Sequence, residues 1–227
     1  APHTQQTAMG RSLPSTNQGR ILPAKVQING SSWNAFSAEA SPAQSVQHGI
    51  LEVAQRRPAL VVSGINYGEN VGNGITVSGT VGAAIEAAAF GIPALAVSLQ
   101  TPQEMHMSHD ARVDFSAAAH FARVFAQKWL TDRPAGVDVL KVDIPASATP
   151  ETPWRTTCVD PSPYYTPVKA QRSSIDETGP IEYERTATTY HPDSDAAAIN
   201  AGLVSVTPLS IDLTARVGLD ALRDHLN

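Results

Sequence analysis

Only one cysteine, Cys158, occurs in the 227 residues, so neither an internal disulfide nor a thiolate metal cluster can be built from this chain alone. Charged residues are scarce too, at 16%, where soluble domains average about 25%. The formal net charge of −5 comes with no basic stripe, which argues against a long nucleic acid as the main partner. No stretch reaches the roughly 20 consecutive apolar residues of a membrane span, and the first residues are not a charged-then-apolar signal segment. The sequence therefore reads as that of a soluble, cytoplasmic protein with no membrane partner. The nucleophile elbow G-x-S-x-G does not surround Ser78, whose context is TVSGT, and neither H-E-x-x-H nor the P-loop G-x-x-x-x-G-K-[ST] occurs. No protein nucleophile is identified. The chain opens on Ala1-Pro2 without Met, which raises the expectation that native residues precede it.

With 42% hydrophobic residues, the chain can build one large domain with a real core. Residues 59–99, ALVVSGINYGENVGNGITVSGTVGAAIEAAAFGIPALAVSL, organise the rest. They read as a buried strand (59–62), a polar loop (63–77), a helix (79–89) that Ser78 caps and Gly91 ends, and a second buried strand (93–99). The handedness of such a unit makes its two strands parallel.

Before it, residues 1–20 read as a loop. A hairpin is expected over 21–28 and the WNAFSAE run around Asn29-Gly30, and an amphipathic helix opens at Ser41-Pro42. After it come a long helix over 110–130 and a third strand over 137–144. Residues 145–195 change character to Pro, Thr, Ser, Tyr and charges, and read as an arm projecting from the core. A short helix at 195–201, a bent strand or strand pair in LVSVTPLSIDL and a final helix at 217–226 complete the chain.

Small or φ-tolerant residues recur through Ser63, Gly64, Asn66, Gly68, Asn70, Gly72, Asn73 and Gly74. Such a run is either an ordinary glycine-rich connection or a cradle for an anion. The helix start Ser78-Gly79-Thr80 favours the cradle, because exposed amides, hydroxyls and the helix dipole all attract a phosphate there. His106, His109 and Asp110 form an H-x-x-H-D cluster, read as a polar loop with Asp110 capping the following helix rather than as a metal site.

Taken together, the segments APHTQQTAMGRS (1–12), SPAQSV (41–46), SGINYGENVG (63–72), SGTVGAAIEAAAFGIPALAVSL (78–99), VLKVDIP (139–145) and DSDAAAINAGLVSVTPLSIDLT (193–214) resemble the SurE family of metal-dependent 5′/3′-nucleotidases. The resemblance spans essentially the whole chain. It implies one α/β domain over 1–227, a three-layer α/β/α Rossmann-like fold with a mostly parallel sheet and an extended β-hairpin arm at roughly 146–194. In that family a divalent metal is held by two consecutive aspartates after the first strand, a Ser or Thr after the second, and the Asn of SGIN. Carried over, the metal ligands fall on Thr7 and Asn66. Ser63, Gly64, Asn70, Ser78, Gly79 and Thr80 would bind the phosphate or substrate. Oxygen ligands of this kind imply one Mg or Mn ion.

The sequence departs from the family at one place. The N-D-D-G motif would lie upstream of Ala1, in a strand-helix-strand missing from this sequence, and no Asp-Asp pair occurs in the 227 residues. The resemblance thus implies hydrolysis of nucleoside 5′/3′-monophosphates, or other small phosphomonoesters, to nucleoside and phosphate by an enzyme of which this chain is a fragment. The competing readings are a non-catalytic nucleotide or phosphate binder and a structural homologue that has lost the metal site. A homo-oligomer, dimer or tetramer, is implied through the arm; the Tyr164-Tyr165 pair reads either as part of such an interface or as local packing within the chain.

Overall fold

The computed structural model describes residues 1–106, 108, 110–186 and 189–227. Residues 1–20 contain no helix or named strand, yet they are tied to the rest: the Gly10 N–H donates to the Val77 carbonyl at 2.8 Å, and Ser41 Oγ donates to the Ser12 carbonyl at 2.6 Å. Strands β1 (Ile21–Ile28) and β2 (Ser31–Ala38) form the expected antiparallel hairpin. Its turn residues Asn29 and Gly30 have φ of 49° and 77°, the left-handed pair that a two-residue hairpin loop requires. Helix α1 (Pro42–His48) begins with a reciprocal capping box between Ser41 and Gln44 and runs on into one wider turn, Gly49–Val53.

Strand β3 spans Val61–Tyr67, so the S-G-I-N residues expected in a loop continue the strand. The physical reason is a β-bulge: Ser63 pairs with Ala96 and Asn66 with Ser98, which leaves Gly64 and Ile65 opposite a single residue. Gly64 makes this possible. Its φ is +112°, and a Cβ there would lie 2.2 Å from the Val97 carbonyl oxygen. A 3₁₀ turn (Gly72–Val77) then leads to α2 (Gly79–Ala89), which Ser78 caps as foreseen, its side chain accepting from the Val81 N–H.

Strand β4 is Ala94–Leu99 and helix α3 is Ser116–Thr131. The helix does not begin at Asp110. That carboxylate is engaged by the Arg112 guanidinium and backbone N–H, and Asp114 instead accepts from the Ser116 N–H and hydroxyl. The remaining elements are β5 (Val139–Ile144), β6 (Trp154–Thr156), β7 (Tyr165–Val168), β8 (Glu182–Arg185), α4 (Asp195–Asn200), β9 (Val204–Leu209) and α5 (Leu219–Leu226).

The main sheet has the order β3-β4-β5-β9-β6, parallel except where β9 runs antiparallel to β5. Every residue of β4 and β5 is buried, and period-two alternation divides them between two helical layers. Leu95, Val97, Leu99, Leu140, Val142 and Ile144 pack under Phe121, Phe125 and Trp129 of α3. On the other face, Ala94, Ala96 and Val139 lie under Val81, Ala84, Ala87 and Ala88 of α2. Alanines on both sides let α2 sit close to the sheet. The result is the three-layer α/β/α arrangement with a mostly parallel sheet.

The arm is smaller than residues 146–194. The β6 strand joins the core sheet beside β9, and only the β7–β8 hairpin stands apart. Tyr164 is 2% exposed and packs on Val71, Tyr190, Ala196 and Ile199 of its own chain, so it is a core residue and not an interface residue. LVSVTPLSIDL supplies one strand, β9. Among the described residues no helix is long and apolar enough to cross a membrane.

Candidate anion-binding site

Three segments meet where the parallel strands end at their C-terminal edge, the side of an open α/β sheet on which ligands bind. The first is the connection from Asn66 to Gly72. The second is the N-terminal loop, which crosses the start of α2 so closely that a Cβ on Gly79 would stand 3.1 Å from the Gln6 carbonyl, and one on Gly82 2.2 Å from the Gly10 carbonyl. The third is the segment after β4. There the His106 ring covers Gly68, the His106 carbonyl accepts from Gln5 Nε2, and the ring nitrogen Nε2 lies 3.2 Å from the Thr101 carbonyl.

At the start of α2, Ser78 Oγ accepts from the Val81 N–H at 3.2 Å and the Ser78 carbonyl from Gly82. The N–H groups of Gly79 and Thr80 are left without an acceptor among the described residues. They face the positive end of the helix dipole, the standard setting for a bound anion. The Ser78 side chain is buried and spent on capping, so its amide neighbours and the half-exposed Thr80 are the groups open to a ligand. Thr7 lies on the exposed loop that flanks this helix start.

Asn66 sits just past the bulge. Its Nδ2 donates to the carbonyls of Tyr67 (3.0 Å) and Gly68 (2.8 Å), which points Oδ1 away from them as a neutral oxygen donor. Asn70 is held on both sides, its N–H donating to Asp143 Oδ1 at 2.7 Å and its Nδ2 to Ser98 Oγ at 2.7 Å. Ser63 lies on β3 just before the bulge and Gly64 within it. Gly64 serves the close approach of β3 to β4 described above.

Beneath this loop is a fully buried charge cluster. Lys141 Nζ lies 2.5 Å from Asp143 Oδ2 and 3.0 Å from Asp195 Oδ2, all with unexposed side chains. Burial alone would depress the Lys141 pKa, but the two carboxylates outweigh it and hold the ammonium above its ordinary value. Burial pushes Asp143 up to about 6, against the pull of Lys141 and the Asn70 N–H. Sequence reasoning did not single out Lys141, Asp143 or Asp195. The available signal was a lysine and an aspartate two apart on one face of an otherwise apolar strand.

As a metal site these residues are incomplete. Asn66 and Thr7 offer neutral oxygens, Asp143 and Asp195 are committed to Lys141 and to backbone amides, and no group of three His, Cys, Asp or Glu that could hold an ion occurs among the described residues. Of the H-x-x-H-D cluster, only His106 and Asp110 are among the described residues, and they have separate partners. His106 packs on Gly68, Asp110 pairs with Arg112, and His109 lies outside the described residues.

Comparison with known proteins agrees with this architecture. The family model "Survival protein SurE" matches residues 1–163. A protein named 5′-nucleotidase SurE from Thermococcus gammatolerans is 38% identical over all of this chain and 84% of its own length. One of the same name from Archaeoglobus fulgidus is 36% identical over 97% of this chain and 83% of its own length. The crystal structure of a SurE protein from Aquifex aeolicus superposes with a TM-score of 0.68 at 27% identity, covering 96% of this chain and 84% of that one. By the extent of the family match and the identity of these relatives, this chain belongs to the SurE family.

Proposed function

We propose that this chain carries the phosphate-binding half of a nucleotidase that hydrolyses nucleoside 5′/3′-monophosphates, and other small phosphomonoesters, to nucleoside and phosphate. The observation that carries the proposal is the pair of N–H donors of Gly79 and Thr80, without an acceptor among the described residues, at the same C-terminal edge of the sheet as Asn66 and Asn70. The names of the relatives, 5′-nucleotidase, support the substrate class.

In this reading the Gly79 and Thr80 amides bind phosphoryl oxygens and stabilise the charge that builds on them during transfer. Asn70 lines the same pocket, and Thr80 adds its hydroxyl. A Mg or Mn ion belongs to the proposal as cofactor, with Asn66 and Thr7 as neutral ligands. Two neutral oxygens do not hold such an ion by themselves, so its carboxylates come from the Asp-Asp motif that the family resemblance implies and that residues 1–227 do not contain. The exposed apolar residues of the arm region, Ile175, Ile181 and Tyr183, support assembly into a homodimer or tetramer, which light scattering reads directly.

The shortage of carboxylates favours one alternative, a nucleotide binder without turnover. Phosphate release from a nucleoside monophosphate, measured with and without Mn, separates the two. Residues 1–227 alone are expected to show little turnover, and the same residues joined to an Asp-Asp-bearing segment to show metal-dependent turnover. Calorimetry showing metal-independent nucleotide binding in both, with turnover in neither, would establish the binder. No binding in either would overturn both readings.

A further inference from the structure

Strand β5 is buried at every position and still carries Lys141 and Asp143 on one face. With Asp195 they bring together one positive and two negative side chains, none of them exposed. The surplus negative charge is met by backbone amides. Asp143 Oδ1 accepts from the Asn70 N–H at 2.7 Å. Asp195 accepts from Gly72 N–H at 3.2 Å, Asp160 N–H at 3.0 Å and Ala196 N–H at 2.8 Å. Each carboxylate thus faces Lys141 on one side and the 68–72 connection on the other.

We infer that Lys141 is a positioning residue for the anion site: by bridging Asp143 and Asp195 it keeps both carboxylates aimed at the Asn70 and Gly72 amides and so fixes the loop that presents Asn70. A strand with no task beyond packing is served as well or better by apolar side chains of similar volume. What the charged cluster adds is a set of directed acceptors, reaching from β5 and the start of α4 to the Asn70 and Gly72 amides of a connection otherwise tied through the Gly68 N–H to the Leu99 carbonyl and Asn70 Nδ2 to Ser98 Oγ. Without the ammonium, two buried carboxylates would face each other across the same gap. They would then separate, which withdraws an acceptor from the loop, or take up a proton, which leaves the Asn70 N–H with a neutral and weaker acceptor. For function, the inference rests on the reading of Asn70 as a phosphate-lining residue.

The test is amide hydrogen exchange by NMR on the full chain, combined with a titration by inorganic phosphate. In Lys141→Met the Asn70 and Gly72 amides should exchange at least tenfold faster, while those of Val97 and Val142 in the β4–β5 ladder keep their protection. In Lys141→Met/Asp143→Asn the repulsion between the two carboxylates is gone but an acceptor for the Asn70 N–H remains, and Asn70 should recover protection. A single variant too unstable to record, together with a double variant that folds and protects Asn70, supports the same conclusion. Unchanged protection of Asn70 and Gly72 in the single variant would overturn the inference, as would loss of protection throughout the chain in both variants. The titration is scored separately. Phosphate should shift the Asn70, Gly79 and Thr80 amides of the unmodified chain and bind at least fivefold more weakly to Lys141→Met. No shift in the unmodified chain would overturn the phosphate reading alone, whereas equal affinity in both would overturn the functional role of Lys141 alone.

Discussion

Gly82 of α2 and Gly10 of the N-terminal loop meet backbone to backbone: a Cβ on Gly82 would stand 2.2 Å from the Gly10 carbonyl oxygen and 2.6 Å from the Arg11 nitrogen. This contact sets Thr7 beside the helix start. In a free helix Gly→Ala gains about 1 kcal/mol, but forcing a methyl into fixed backbone costs about 1–3 kcal/mol. The loop cannot retreat cheaply, because the Gly10 N–H is bonded to the Val77 carbonyl. Gly82→Ala is therefore expected to lower stability by up to about 2 kcal/mol net, a Tm lower by up to roughly 8 °C in a thermal melt. A higher Tm would show that the loop does not rest on this helix.

Arg11 closes the same junction with charge. Its Nε lies 2.6 Å from Glu86 Oε2, and the Glu86 side chain is only 4% exposed while that of Arg11 is 46% exposed. A surface pair contributes about 0–1 kcal/mol and loss of one partner of a buried pair costs about 3–5 kcal/mol. This pair falls between, because solvent screens Arg11 and Gln47 Nε2 still donates to Glu86 at 2.9 Å. Arg11→Met should cost about 1–2 kcal/mol in urea unfolding. The cost should shrink in Arg11→Met/Glu86→Gln, where no buried charge is left without its partner.

How far the sequence revealed this molecule depended on whether the signal was local. The Ser78 cap, the helix it opens, the Asn29-Gly30 hairpin and the buried strands β4 and β5 all follow from residue type and spacing over a few positions, and the structure has them; the strand expected to be buried at 59–62 is instead part of the edge strand β3, with Val62 47% exposed, because burial depends on what lies on its far side. The bulge at Gly64 was not legible, because it depends on Val97 in the next strand. The start of α3 was misplaced because Asp110 has the side chain of a cap, but its carboxylate is taken by Arg112 and the helix opens at Ser116 without a side-chain cap. The Lys141, Asp143 and Asp195 cluster joins residues far apart in the chain, so its partners appear only once β5 and α4 are adjacent. Tyr164, in a polar stretch, read either as an interface residue or as local packing, and Val71 and Ile199 of its own chain cover it.

Asp143 gives the fold a pH dependence whose sign is fixed by its raised pKa. Burial pushes the folded carboxyl up to about 6, from an ordinary value of 3.8. Between those values the folded chain holds a proton that the unfolded chain has released, so this group's contribution to stability is fullest below the unfolded pKa and declines as pH rises through about 6. Other carboxylates titrate in the same range, and subtraction removes them. The stability of the unmodified chain relative to Asp143→Asn should therefore fall between pH 4 and 6.5 and level off above it. A difference that rises with pH would mean that Lys141 holds Asp143 ionised more strongly than burial opposes it.

Asn66 and His106 are close to the same loop and should behave differently. Asn66 has its Nδ2 fastened to the Tyr67 and Gly68 carbonyls, which leaves Oδ1 as the group offered outward. In the active enzyme, Asn66→Ala should reduce kcat/KM by roughly 100-fold or more, since even groups that only orient a metal ligand are worth about 10–100-fold. The His106 ring rests on Gly68 and approaches the Thr101 carbonyl, so His106→Ala removes support from the loop without removing a group from the site. Its effect should be the smaller one and should appear chiefly in KM, because a loosened Asn66–Asn70 connection weakens binding of ground state and transition state alike. Measured side by side, a larger loss of kcat in His106→Ala than in Asn66→Ala would reverse the assignment and return His106 to the reaction centre.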